Sequence, residues 1–102
     1  MMASDDDVDG MAEVTFTQMV VASGLSEAEL RELVRYGALV PRNPDATTWT
    51  FESRWIFAAR KASRLSREFE LDPHGVSVVL SFLERIESLE AELRAVRAQL
   101  SR

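Results

Sequence analysis

Along the last third of the chain the apolar residues recur at alternating steps of three and four: Val79, Phe82, Ile86, Leu89, Leu93, Val96 and Leu100. That spacing lays one apolar stripe down an α-helix and forms the heptad seam of a coiled coil, with Glu84, Arg85, Glu87, Glu90, Glu92, Arg94 and Arg97 on the remaining faces. Asp72 can cap the first free backbone N–H groups, and Pro73 suits the first helical position, where a missing donor costs nothing. One long helix is therefore expected over 72–102. Alone it would leave its stripe in water, and a second copy would cover it, so these seven residues are candidate dimerisation contacts. In a parallel pair Arg85 meets Glu90 and Glu92 meets Arg97 across the interface. In an antiparallel pair the acidic block Glu84 to Glu92 faces the basic block Arg94 to Arg102. Both arrangements are attractive.

Upstream, residues 1–13 are acidic and without periodicity and are expected to form a disordered tail. Thr17 can cap a short helix carrying Met19, Val20 and Val21, which Gly24 would end. Ser26 and Glu29 then stand at capping-box spacing, with Leu25 as a staple residue. Leu30, Leu33 and Val34 point inward from the helix that follows. Glu27, Ala28, Arg31, Glu32 and Arg35 point outward, until Tyr36-Gly37 stops it. Two short helices around a glycine turn make a helix-turn-helix.

Beyond it, Ala38-Leu39-Val40-Pro41 and Trp49-Thr50-Phe51 read as two strands around the turn-rich segment 42–48, a hairpin wing pinned to the core by Trp49, Phe51 and Trp55. A third helix is expected from Glu52 or Ser53 to Phe69. Its apolar or small face comprises Trp55, Ile56, Ala59, Ala62, Ser63, Leu65 and Ser66, and its basic face Arg54, Arg60, Lys61, Arg64 and Arg67. Over 52–70 five bases oppose three acids. The basic face is expected to be simply solvated. The organisation is thus a winged helix-turn-helix domain over 14–71 followed by a dimerisation helix over 72–102.

Composition narrows the function. The 102 residues are 46% hydrophobic, enough for one modest core. There is no cysteine, which removes disulfides and thiolate metal sites. The acidic start lacks the basic region of a signal peptide, and no apolar run approaches the roughly 20 residues that span a bilayer, so a cytoplasmic protein without membrane contact is expected. The net charge of −5 owes four negatives to Asp5, Asp6, Asp7 and Asp9; 17 acids less these four leave 13 against 12 bases. A nearly neutral folded part weakens the case for non-specific nucleic-acid binding. A single histidine, His74, and the lack of a glycine-rich phosphate loop offer no nucleophile–base pair and no metal cluster. No enzymatic activity, cofactor or metal is expected.

The order helix-turn-helix, wing, helix, long terminal helix resembles the MerR-like winged-helix superfamily. The residues that carry the likeness are Phe16-Thr17, Gly24-Leu25-Ser26, Gly37-Ala38-Leu39-Val40-Pro41 and Trp49-Thr50-Phe51. Within it, Trp49-x-Phe51 after the wing and the junction from Glu68 through Asp72-Pro73-His74-Gly75 to Leu80 are similar to the chaperone modulators of the CbpM type. The resemblance implies a mainly α fold and a small protein that binds the J-domain of a DnaJ-like co-chaperone and restrains its work with Hsp70. It also implies antiparallel pairing of the long helices. The expected target face of a J-domain is, by the same resemblance, a basic helix.

The outward face of the second helix tests that implication independently. A DNA reader would present cations and polar side chains there, whereas this face carries Glu27 and Glu32 beside Arg31 and Arg35. First-turn carboxylates such as Glu27 and Glu29 also stabilise the helix dipole by roughly 0.3–1 kcal/mol each, so Glu32, past the first turn, is the sharper candidate for contact. Glu27, Arg31, Glu32 and Arg35 are thus the candidate partner-binding residues. The alternative is a MerR-like transcriptional regulator binding DNA through Arg31, Arg42 and Arg54.

Overall fold

The computed structural model describes residues 11–101, so the expected acidic tail lies outside the described residues up to position 10. Two strands and four helices follow in the order β1 (Glu13–Thr15), α1 (Phe16–Ser23), α2 (Glu27–Arg35), β2 (Thr50–Glu52), α3 (Trp55–Phe69) and α4 (Pro73–Leu100). The fold is mainly α, a winged helix-turn-helix with a long C-terminal helix.

Glu13 belongs to a strand and not to the tail. β1 runs antiparallel to β2, with Glu13 opposite Glu52, Val14 opposite Phe51 and Thr15 opposite Thr50. Alternation supplies the reason: Val14 turns into the core between exposed neighbours and meets Phe51, which is completely buried. The cap of α1 also moves, from the expected Thr17 to Thr15. Thr15 Oγ1 accepts from the Gln18 N–H at 3.1 Å, and Gln18 Oε1 accepts from the Thr15 N–H at 2.9 Å. Gln18 stands three residues after Thr15, the spacing a reciprocal box requires.

The next elements follow their local signals. Gly24, at φ 82°, ends α1 and its N–H donates to the Val20 carbonyl. Ser26 and Glu29 close the box on α2 at 3.0 and 2.9 Å, and Leu25 is buried beneath the turn. Past α2 the expected strand at Ala38–Pro41 is absent. The N–H groups of Gly37 and Ala38 donate to Val34 and Leu33 carbonyls and finish the helix, Leu39 is fully buried, and Pro41 has no donor. The wing is therefore a loop, tied to β2 by the Arg42 N–H on the Thr50 carbonyl at 2.8 Å. Trp49 Nε1 donates to the Pro44 carbonyl across it. β2 gains β1 as its partner in place of the expected hairpin strand.

α3 starts at Trp55, two or three residues later than expected, because Glu52 is held in β2. It ends at Glu70, which adopts the left-handed conformation at φ 53°. Asp72 Oδ1 then accepts from the Gly75 N–H at 2.8 Å, and Pro73 opens α4 as expected. The core draws on every element: Val14, Met19, Leu25, Leu30, Leu33, Leu39, Phe51, Ala59, Ala62, Val76 and Leu80. Val76 and Leu80 anchor the first turns of α4 against α2 and α3. From Glu84 to Leu100 every residue of α4 is exposed, a projection of about 26 Å at 1.5 Å per residue. No described helix is long and apolar enough to cross a membrane.

Candidate functional site

The outward face of α2 is positioned by its cap and by the burial of Leu30 and Leu33 behind it. Its four candidate residues pair locally. Arg31 Nη1 lies 3.6 Å from Glu27 Oε1, and Arg35 Nη1 donates to Glu32 Oε2 at 2.9 Å. Two carboxylates and two guanidinium groups on one helix face give a patch of mixed sign and no net charge. Glu29 lies apart from it, its carboxylate turned back onto the Ser26 N–H.

Arg31 has a second contact: its guanidinium carbon sits 4.8 Å above the centre of the Phe16 ring. The Phe16 ring is in turn 6.2 Å from Trp49 and tilted by 54°. Together with Thr17, Pro44 and the threonines of the wing loop these side chains line an open cleft of about 350 Å³. Phe16 and Trp49 thereby enter the site. Trp49 was legible as an anchor, but a cleft between the wing loop and α2 depends on contacts that no local spacing encodes.

The three arginines proposed for DNA do not form one cluster of free cations. Arg42 donates through Nη2 to the Met11 carbonyl, and Arg54 Nε lies 2.7 Å from Glu52 Oε1 with its guanidinium 5.9 Å from the Trp55 ring. The basic face of α3, expected to be merely solvated, is partly structural. Arg60 Nε donates to the Ala22 carbonyl at 3.0 Å and Arg67 Nη2 to the Gly24 carbonyl at 2.7 Å, closing the C-terminal end of α1. Lys61 reaches α4 at Glu87, 3.7 Å away. His74 is exposed and stacks on Tyr36 with ring centres 4.9 Å apart.

The seam is a separate surface. Val79 is half-buried at the root of α4, whereas Phe82, Ile86, Leu89, Leu93, Val96 and Leu100 are 45–80% exposed. Beside Val79, the side chains of Leu65, Phe69 and Leu71 form an apolar groove, and Phe69 is 63% exposed. Phe69 could have been flagged from sequence as an apolar residue off the buried face of α3.

Comparison with known proteins places these features in a family. The description of the MerR HTH family regulatory proteins matches residues 14–98. Two proteins called chaperone modulatory protein CbpM, from Escherichia coli strain SE11 and from Shigella boydii serotype 18, are each 38% identical over 88 residues, covering 86% of this chain and 87% of theirs.

Proposed function

Because the chain belongs to the MerR HTH family of regulatory proteins, and within it to the CbpM-like chaperone modulators, we propose that it is a non-enzymatic modulator which binds the J-domain of a DnaJ-like co-chaperone and restrains its cooperation with Hsp70. The observation that carries this reading is the outward face of α2. In a duplex-reading relative that face meets phosphates, yet here Glu27 and Glu32 occupy it. Carboxylates repel a polyanion and suit a basic helix of a protein partner, steering its approach and fixing its orientation. The modulator acts in the cytoplasm by occlusion, covering the J-domain surface that Hsp70 would otherwise engage. Glu27, Arg31, Glu32 and Arg35 make the contact. Two copies join through Val79, Phe82, Ile86, Leu89, Leu93, Val96 and Leu100.

Calorimetric titration with the cognate J-domain tests the reading. Saturable binding is expected, weakened by salt and by Glu32→Lys. Absence of binding at low salt overturns it. A second reading, a transcriptional regulator that binds operator DNA, is supported by the helix-turn-helix order itself. It requires site-selective duplex binding that falls steeply with salt and is lost in Arg31→Ala, Arg42→Ala or Arg54→Ala, measured by gel shift.

A further inference from the structure

The outward face of α3 is a basic stripe with more cations than its neighbours answer. At about 100° per residue, Arg54, Phe57, Arg60, Lys61, Arg64 and Arg67 fall within about 140° of one another, opposite the buried Ala59, Ala62 and Ser63. Arg54 and Lys61 are answered by Glu52 and Glu87, at 2.7 and 3.7 Å. Arg60 and Arg67 each give a donor to a carbonyl at the end of α1, which leaves their charge uncompensated. Arg64 is exposed and forms no ion pair among the described residues, not even with Glu68 one turn beyond it. Three guanidinium groups in a row therefore lack a carboxylate.

The chain enters the fold at the head of this stripe. The Ser53 N–H donates to the Ala12 carbonyl at 2.8 Å and Arg42 holds the Met11 carbonyl, so position 12 is fixed next to the residue that precedes Arg54. Ten residues stand before Met11, and they hold four carboxylates, Asp5, Asp6, Asp7 and Asp9, with no Lys or Arg. An extended segment rises about 3.3 Å per residue and a helix about 1.5 Å. Measured from the bond between Ala12 and Ser53, Asp9 then reaches about 10 Å, and Arg60 lies about 10 Å along α3. Asp7 and Asp5 reach about 17 and 23 Å, against about 17 and 21 Å for Arg64 and Arg67. Asp5, Asp7 and Asp9 alternate by two and so share one side of an extended segment. Charge, reach and spacing match at all three positions.

We propose that residues 5–9 lie along α3 of their own chain, with Asp9, Asp7 and Asp5 on Arg60, Arg64 and Arg67, and cover this stripe against other polyanions. The contact is made between exposed charges, so it is weak, local and sensitive to salt. Its consequence is selectivity. A winged helix-turn-helix whose uncompensated arginines are held by its own carboxylates closes that stripe to nucleic acid while the outward face of α2 stays open. The cover does not depend on which protein α2 receives.

The full chain has no cysteine, so Val8→Cys carries a nitroxide at one place only. Its broadening of backbone amide signals is read by NMR in the isotope-labelled full chain at about 0.01 M and 1 M salt, where the screening length is about 30 Å and 3 Å. Signals from Arg60 to Arg67 should be lost at low salt and recover at high salt, and should also recover at low salt in Arg64→Glu. Arg35→Glu makes the same charge change on α2 and should leave the broadening in place. Broadening that is absent at low salt, indifferent to Arg64→Glu or centred on α2 overturns the proposal. Nitroxide chains without isotope are also mixed with isotope-labelled chains without nitroxide; broadening on α3 there places the segment on a second copy and overturns it too. Finally, Asp7→Asn with Asp9→Asn should raise the salt needed for elution from heparin more than Glu90→Gln with Glu92→Gln, which alters net charge equally. Equal shifts overturn the masking.

Discussion

Arg60, Arg64 and Arg67 share one helix and one charge, yet only two of them close the end of α1, and that difference can be measured. Arg60 and Arg67 donate to the Ala22 and Gly24 carbonyls at 3.0 and 2.7 Å. These acceptors belong to the C-terminal end of a helix, where carbonyls lack intrahelical donors and the dipole favours a cation. A hydrogen bond from a charged donor contributes about 1.5–3 kcal/mol when shielded. Both arginines are exposed, which reduces the figure to about 1 kcal/mol each. Arg67→Met and Arg60→Met keep most of the aliphatic stem and remove the donor. Each should lower Tm by about 4–8 °C, and the double variant by about 8–16 °C, for a domain of this size. Arg64→Met removes the same charge without a cap and should stay within about 0.5 kcal/mol of the parent. Thermal melts at one fixed protein concentration make the comparison, since association would shift all midpoints together. If Arg60→Met and Arg67→Met cost no more than Arg64→Met, the capping role is wrong and the basic face is only solvated.

Glu70→Gly relieves a non-glycine residue at φ 53° and should stabilise by about 1 kcal/mol, read as an upward shift in Tm. Phe51→Ala empties a fully buried aromatic site between β1 and the helices, and urea unfolding should show a loss of about 3–5 kcal/mol. Ser26→Ala removes the cap of α2 and should cost about 1 kcal/mol in the same assay. Ile86→Asp places a charge in the proposed seam and should yield monomers by sedimentation, with helicity lost from the projecting half of α4, because an unpaired helix of that length is marginal in water.

What the sequence disclosed and what it withheld divide by the range of the interaction. Ser26 with Glu29, Gly24, and Asp72 with Pro73 act over three or four residues, and each forms the cap its spacing announces. The same rule would have placed the first cap at Thr15, since Gln18 stands three residues on; Thr17 has Val20 there, which cannot return the hydrogen bond. β1 joins β2 across almost forty residues, and a three-residue strand has too little periodicity to reveal such a partner. Ala38 to Pro41 has strand composition, but its first donors are claimed by the end of α2, so the hairpin had no ladder to form. Arg60 and Arg67 find carbonyls 38 and 43 residues away, so a face that looks uniformly basic in sequence holds two structural caps. The mixed charge of the α2 face needed no long-range contact and was legible at once. The cleft between Phe16, Arg31 and Trp49 joins three separate segments and was not.

The internal contacts of the three outlying arginines bear on the choice between a protein and a duplex as partner. A phosphate that recruits Arg31 must draw it from the Phe16 ring and Glu27; one that recruits Arg54 must draw it from Glu52; and Arg42 must leave the Met11 carbonyl. The Arg31–Glu27 pair is exposed and contributes up to about 1 kcal/mol, roughly fivefold in affinity, whereas Glu52 Oε1 is buried, so drawing Arg54 away leaves a shielded carboxylate without its cation and costs more. That alone does not forbid DNA. The exchanges also strip Glu27 and Glu52 of their cations and leave both carboxylates beside the incoming phosphates, an added repulsion. A protein partner faces no such difficulty. A basic helix can approach Glu27 and Glu32 while Arg31 and Arg35 stay where they are, because each carboxylate has two oxygens and only one is held in its ion pair.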